Sequence, residues 1–291
     1  MTQMPVISLS SGDADALGQQ LGSSFQAYGF ATIVDHGLDP ALVAKAWALT
    51  KKLFEQSESQ KMSGFETALA GQRGYTPFKT EIAKGADFHD LKEFWHVGRD
   101  VSPDSPLAGS MLPNIWPDVP EFKETFQLLF AEMDKVGARI LSSIARYLDL
   151  PASWFDPAIE DGNSILRLLH YPPIAGDAEG CIRAGAHEDI NLITLLLGAE
   201  EAGLELLTKD GTWLPIPAAE GALVINVGDM LDRQTNGRLR ANRLAKRTDD
   251  AKPDGCRHDS KHVYRFVKYL ILVNCHLVFT FMLVYSNVRI Y

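Results

Sequence analysis

The run Arg183-Ala-Gly-Ala-His-Glu-Asp-Ile-Asn-Leu-Ile-Thr-Leu-Leu-Leu197 sets an imidazole, His187, two residues before a carboxylate, Asp189. Alternate residues of a β-strand point to one face, so a strand ending here would aim both groups at one point. A second histidine from further along the chain would complete the 2-His-1-carboxylate arrangement. That arrangement holds non-haem Fe(II) and leaves positions open for a co-substrate and O₂. The pattern is short, and a structural surface pair would look the same. The flanking chain has to separate the two readings.

The elements around this run read as follows. Pro5 to Leu9 and Gly29 to Val34 are strand-like, and Asp35-His36-Gly37 closes the second as a turn. Between them Ser11 or Asp13 caps a helix whose stripe is Leu17, Leu21, Phe25 and Tyr28. Asp39-Pro40 opens another helix, an N-cap followed by Pro in the first turn. Residues 56–84 are polar and Gly-rich and read as loops with broken helix. After a Pro-rich connection, Pro120 opens a long period of three or four running through Phe122, Phe126, Leu129, Met133, Val136, Ile140, Ile144 and Leu148 to Leu150. This predicts a scaffold helix lying against a sheet, stopped by Pro151. From Ser164 the period shortens. Strands are expected at Ile165–Tyr171, Ile190–Leu197 and Ala222–Val227, with a hairpin at Leu204–Leu207 and Trp213–Ile216 turned at Asp210-Gly211. Short strands at such spacing predict an antiparallel sandwich or barrel.

Composition narrows the classes. A chain of 291 residues with 46% hydrophobic content can bury a sizeable core. A net charge of −9 shows no basic surface for nucleic acid or anionic membranes. Three scattered cysteines (Cys181, Cys256, Cys275) make neither a disulfide framework nor a four-thiolate zinc site. The N-terminal residues lack the pattern of a signal peptide, and a cytoplasmic setting is expected. One stretch stands apart. Residues 266–285 are apolar enough to cross a bilayer or to supply core strands, and the β-branched and aromatic content favours strands.

Several stretches together resemble the Fe(II)/2-oxoglutarate-dependent oxygenases of the isopenicillin N synthase-like superfamily, in particular bacterial ethylene-forming-enzyme-like members. They are Pro5 to Leu9, Gly29 to Gly37, Asp90-Leu-Lys-Glu-Phe-Trp95, Leu166-Arg-Leu-Leu-His-Tyr-Pro-Pro173, His187 to Leu196 and Gly221 to Arg240. The resemblance covers about residues 4–240. It implies a mainly β fold with flanking helices: a double-stranded β-helix (jelly-roll) core, a long scaffold helix and an N-terminal α/β region. It divides the chain into an N-terminal region (1–105), connection and scaffold helix (106–160), a partial jelly-roll core (161–240) and a divergent apolar tail (241–291). The implied activity is a dioxygenase reaction. Fe(II) is bound by His187 and Asp189, 2-oxoglutarate and O₂ are consumed, succinate and CO₂ are released, and a small-molecule substrate is oxidised. Tyr171, His170 and Arg183 are the implied candidates for the co-substrate pocket.

The tail departs from this pattern. The family's second histidine should fall near position 244, where the chain has Leu244. Its Arg-x-Ser, which pairs with the distal carboxylate of 2-oxoglutarate, should follow some ten residues on, where the chain reads Thr248 to Gly255 without it. A frameshift, a mispredicted gene end or a replaced terminus would produce this loss of register. Two rivals to the enzyme follow: a catalytically inactive derivative acting as a binding protein, and a product tethered to membrane through residues 266–285. His258 and His262, with Cys256, offer an alternative metal group. His36 is expected as a turn residue, and Asp90, Lys92 and Glu93 as groups that tie the N-terminal region to the core or line its entrance.

Overall fold

A computed structural model of the chain describes residues 4–69, 71–81, 89–105, 108–160, 162–172, 184–197, 204–207, 211–216, 221–242, 244–246 and 263–271. The chain opens with β1 (Val6–Ser8), α1 (Ala14–Tyr28), β2 (Phe30–Val34), α2 (Pro40–Phe54) and α3 (Glu58–Met62). Next come β3 (Gly74–Thr76), β4 (Glu93–Gly98), α4 (Phe122–Tyr147) and α5 (Asp156–Ile159). The remainder is β5 (Ile165–Tyr171), β6 (Ala184–His187), β7 (Ile193–Leu197), β8 (Leu204–Leu207), β9 (Trp213–Pro215), β10 (Leu223–Val227), α6 (Asp229–Gln234), β11 (Leu244–Lys246) and β12 (Val263–Ile271).

The strands form two sheets. The larger runs β1-β2-β10-β7-β12-β5-β4-β3 and the smaller β6-β11-β8-β9, with only β1 and β2 parallel. Alternation sorts the side chains of the larger sheet. Leu166, Leu168, Trp95, Ile193, Leu195, Leu223 and Ile225 join the core shared with the helices. Phe94, Leu169, Tyr171, Leu196 and Val224 turn the other way and meet Leu206 of the smaller sheet and Ile216 just after β9. This second, inner face is where the candidate chemistry lies.

The helices are placed by their caps and stripes. Asp13 accepts from the backbone N–H groups of Asp15 and Ala16 at the start of α1, and Asp39 accepts from that of Ala41 at the start of α2. The long helix was expected from Pro120 to Leu150. It is shorter because Glu121 and Asp149 adopt left-handed backbone conformations just outside it, with φ of 63° and 60°. Its apolar stripe, Phe122 to Ile144, is buried as the period predicts. Gly22 lets α1 approach closely: a Cβ there would sit 2.0 Å from the Tyr147 ring.

The tail is not foreign to this architecture. β12 inserts between β5 and β7, pairing antiparallel with both, and β11 pairs with β6 and β8. The tail therefore supplies a central strand that closes two edges otherwise open to aggregation. Among the described residues no helix is long and apolar enough to cross a membrane. Of the apolar stretch 266–285, residues 266–271 lie in β12 and the rest outside the described residues.

Candidate metal and substrate site

β6 ends at His187, and residues 188–192 turn before β7 starts at Ile193. The expected strand from Ile190 is thus shorter, and Asp189 sits in the turn rather than on a strand. The turn is stapled to the start of α6. The backbone N–H groups of Gly228, Asp229 and Met230 donate to the carbonyls of Leu192, Asp189 and Asn191 at 2.9, 2.8 and 3.1 Å. Gly228 is required there, because a Cβ would lie 2.0 Å from Asn191 Oδ1.

The side chain of Asp189 is buried and directed. Its Oδ2 accepts from Thr194 Oγ1 at 2.7 Å and from Asn226 Nδ2 at 3.0 Å. Thr194 Oγ1 in turn accepts from Asn191 Nδ2 at 2.8 Å. Thr194 and Asn226 face each other across β7 and β10. With Oδ2 engaged, Oδ1 lies 3.6 Å from His187 Nε2. Two donors bonded to one small cation at about 2.1 Å and at right angles stand roughly 3 Å apart. The separation here is near that value. Asp189 is 5% exposed and His187 32%, so the pair opens to solvent on the histidine side.

The third expected donor is missing in a defined place. The ladder between β6 and β11 sets Leu244 directly opposite His187. Directly opposed residues of an antiparallel pair share a face, so position 244 is where a second imidazole would stand, and leucine offers no donor. Among the described residues no group of three His, Cys, Asp or Glu could hold a metal. Cys256, His258 and His262 lie outside the described residues, as does Arg183.

The two neighbouring candidates on β5 part company. Tyr171 is buried on the inner face with Phe94 and Leu169, and its hydroxyl is pushed up in pKa, by burial first. His170 turns to the helix side, opposite to Tyr171. There it stacks on Phe54 at 5.0 Å, and Nδ1 lies 2.6 Å from Glu93 Oε1. Glu93 also accepts from Lys61 Nζ at 2.7 Å and from the Tyr75 hydroxyl. Burial would raise its carboxyl, but the bonds from His170, Lys61 and Tyr75 leave it below the usual range. This buried knot ties α3, β3, β4 and β5 together, the tying role expected of Glu93. His36 is a turn residue as expected. Its Nδ1 accepts from the Leu38 N–H at 3.2 Å, which leaves Nε2 to donate to the Gly221 carbonyl at 2.7 Å.

A second polar cluster lies on the inner face and brings Asp90 and Lys92 together with Glu81, His96 and Arg167. Lys92 Nζ, buried, bonds Glu81 at 2.6 Å and Asp90 at 2.7 Å. Arg167 donates through Nε to His96 Nε2 at 2.6 Å and stacks on Phe94 at 4.5 Å. Because arginine can only donate, His96 Nε2 is an acceptor, so Nδ1 carries the proton and donates to the Gly71 carbonyl at 2.7 Å. Burial and the nearby guanidinium hold His96 neutral, its pKa well below the ordinary value. The run Leu166 to Pro173 drew attention to His170 and Tyr171. Strand alternation back from Tyr171, through Leu169 to Arg167, is the signal that finds the arginine.

Comparison with known proteins places this geometry. Residues 4–119 match the family model described as non-haem dioxygenase in morphine synthesis N-terminal, and residues 162–250 match the 2OG-Fe(II) oxygenase superfamily. A 2-oxoglutarate-Fe(II) type oxidoreductase, hxnY, of Emericella nidulans is 31% identical over 78% of this chain and 68% of its own length. The chain belongs to the 2OG-Fe(II) oxygenase superfamily. Proline hydroxylase buaE of Petromyces alliaceus is likewise 31% identical, over 79% of this chain and 74% of that protein. Among solved structures, a 2OG-Fe(II) oxygenase family protein from Caulobacter crescentus is 42% identical, with a TM-score of 0.82, covering 94% of this chain and 88% of that one. A full-length Neurospora crassa protein in complex with alpha-KG is 25% identical with a TM-score of 0.76, covering 93% and 84%. The superfamily match continues past Arg240 to residue 250.

The superfamily is defined by Fe(II), 2-oxoglutarate and O₂. His187 and a directed Asp189 Oδ1 are chemically suited to such an ion, a nitrogen and a carboxylate oxygen converging at the end of a jelly-roll strand. Position 244 does not fit, since Leu244 cannot complete the triad.

Proposed function

We propose that this chain is a 2-oxoglutarate- and Fe(II)-dependent oxygenase of small molecules, with His187 and Asp189 as its protein ligands to iron. The observation that carries the reading is the hydrogen-bonded orientation of Asp189 toward His187 by Thr194 and Asn226. When bound, the iron supplies the O₂ chemistry coupled to decarboxylation of the co-substrate to succinate and CO₂. The chain's own contribution is positional. Thr194 and Asn226 fix the carboxylate, Tyr171, Leu169, Phe94 and Leu196 form an apolar patch on the inner face, and the stapled turn 188–192 holds both donors at the strand end.

A second reading, a scaffold that binds but does not oxidise, is favoured by Leu244 alone. One experiment separates the two. The full chain with Fe(II), ascorbate and 2-oxoglutarate in air should form succinate, and His187→Ala should abolish it. Equal succinate from the wild type and His187→Ala contradicts the proposed ligands, and none from the wild type selects the scaffold.

A further inference from the structure

Arg167, on the inner face, is a charged group whose terminal nitrogens have no partner closer than 3.5 Å among the described residues. Arg167 is fixed on three sides. Its strand position is set by β4, its Nε is engaged by a neutral His96 at 2.6 Å, and its plane rests on Phe94. Yet its Nη1 reaches the two oxygens of Glu81 only at 3.5 Å each. A charge-assisted N–H···O bond is normally about 2.7–2.9 Å. Glu81 is drawn away to Lys92, which it meets at 2.6 Å. Burial opposes ionisation of Glu81, but Lys92 and Arg167 hold its carboxyl well below the usual range, so it remains an anion. A rigid guanidinium, about four-fifths buried, stands with its outer edge toward a carboxylate that does not close on it.

We infer that Arg167 is the receptor for a ligand carboxylate on the inner face, and that Glu81 occupies the approach until the ligand arrives. The inference rests on the oxygenase reading for the source of that carboxylate, either the distal end of 2-oxoglutarate or an acidic prime substrate. The register supports the placement. Arg167 shares its row with Leu196, which is one alternation beyond Thr194 on the same face. Two strand spacings and two residues of rise put the Cα of Arg167 roughly 12 Å from that of Thr194. A small acid with one end near Asp189 and the other toward the guanidinium fits that span. The stacked and hydrogen-bonded guanidinium has little rotamer freedom left to lose on binding, which is the preorganisation a tight anion site requires.

The test is calorimetric and needs no turnover. The full chain, anaerobic with Fe(II), is titrated in one arm with 2-oxoglutarate and its monoacid analogue 2-oxobutanoate. In a second arm benzoate is added at saturating 2-oxoglutarate. Arg167→Gln should weaken carboxylate binding at least tenfold in one arm, with Arg167→Lys between it and the wild type. Glu81→Gln should tighten binding in that arm. Loss of the preference for the diacid in the first arm assigns the carboxylate to the co-substrate; loss only with benzoate assigns it to the prime substrate. Unchanged melting temperatures keep the comparison about the site. Equal binding by wild type and Arg167→Gln in both arms overturns the inference, as does a wild type that binds neither acid. Binding that survives Arg167→Gln but is lost in Lys268→Gln moves the receptor to the neighbouring strand and overturns it too. Because binding is read apart from oxidation, a chain that makes no succinate yet binds through Arg167 refutes the proposed activity and not this inference.

Discussion

Thr194→Val isolates what orients Asp189. Valine keeps the shape and the strand propensity of threonine, so the change deletes one hydroxyl at a fully buried position. Two interactions go with it: the 2.7 Å bond to the carboxylate and the 2.8 Å bond from Asn191. A hydrogen bond to a charged group contributes about 1.5–3 kcal/mol, and a buried amide donor left without its acceptor costs about 1–3 kcal/mol. Relaxation of the turn offsets part of this, so urea unfolding should show a loss of about 3 kcal/mol. The sharper readout is the metal. Partners that hold a ligating carboxylate in place are worth about 10–100-fold in affinity. Fe(II) binding should weaken by that factor while His187 is untouched. A variant that loses stability but keeps its Fe(II) affinity would show that Thr194 merely packs, and would refute the orientation argument.

Other perturbations test the buried ionic groups. Lys61→Met removes the 2.7 Å partner of the buried Glu93 and should cost about 3–5 kcal/mol in urea unfolding. Adding Glu93→Gln to it should recover part of that loss, and no recovery would mean that lost packing, not an uncompensated charge, is responsible. Stability should also fall with acidification in two stages, read by thermal melts across pH. His96 is held neutral with a lowered pKa, so its contribution is present above the unfolded value of about 6.5 and is lost as pH falls below that. Glu81 and Glu93 have lowered values, so theirs is present above about pH 4.3 and is lost as pH falls through their folded pKa values. His96→Gln should flatten the upper stage only, and a melt profile unchanged by it would contradict the neutral assignment.

The legible parts of this fold were those written in local periodicity. The α4 stripe, the caps at Asp13 and Asp39, and the strands at Ile165–Tyr171 and Leu223–Val227 follow from spacing that tertiary contacts only reinforce. His187 and Asp189 were legible as a pair because of their flanks, though the strand-face argument for them was too simple, since a turn and not a strand carries Asp189. What could not be read came from across the sheet. Asn226 reaches Asp189 only after β10 pairs with β7, and Arg167 meets His96 only after β5 pairs with β4. No local pattern records such register. His170 and Tyr171 are neighbours in sequence, and in a strand one residue is a change of face. The tail looked foreign by composition, yet its β-branched and aromatic residues are what a central strand between β5 and β7 requires.

The measurement that bears most directly on the account is an anaerobic Fe(II) titration of the wild type, His187→Ala and Leu244→His. Two converging donors predict one weak site in the wild type and none in His187→Ala. The ladder position of Leu244 predicts binding at least tenfold tighter in Leu244→His. Wild-type affinity equal to that of His187→Ala, or an affinity that Leu244→His leaves unchanged, would contradict the claim that His187, Asp189 and position 244 frame one metal site.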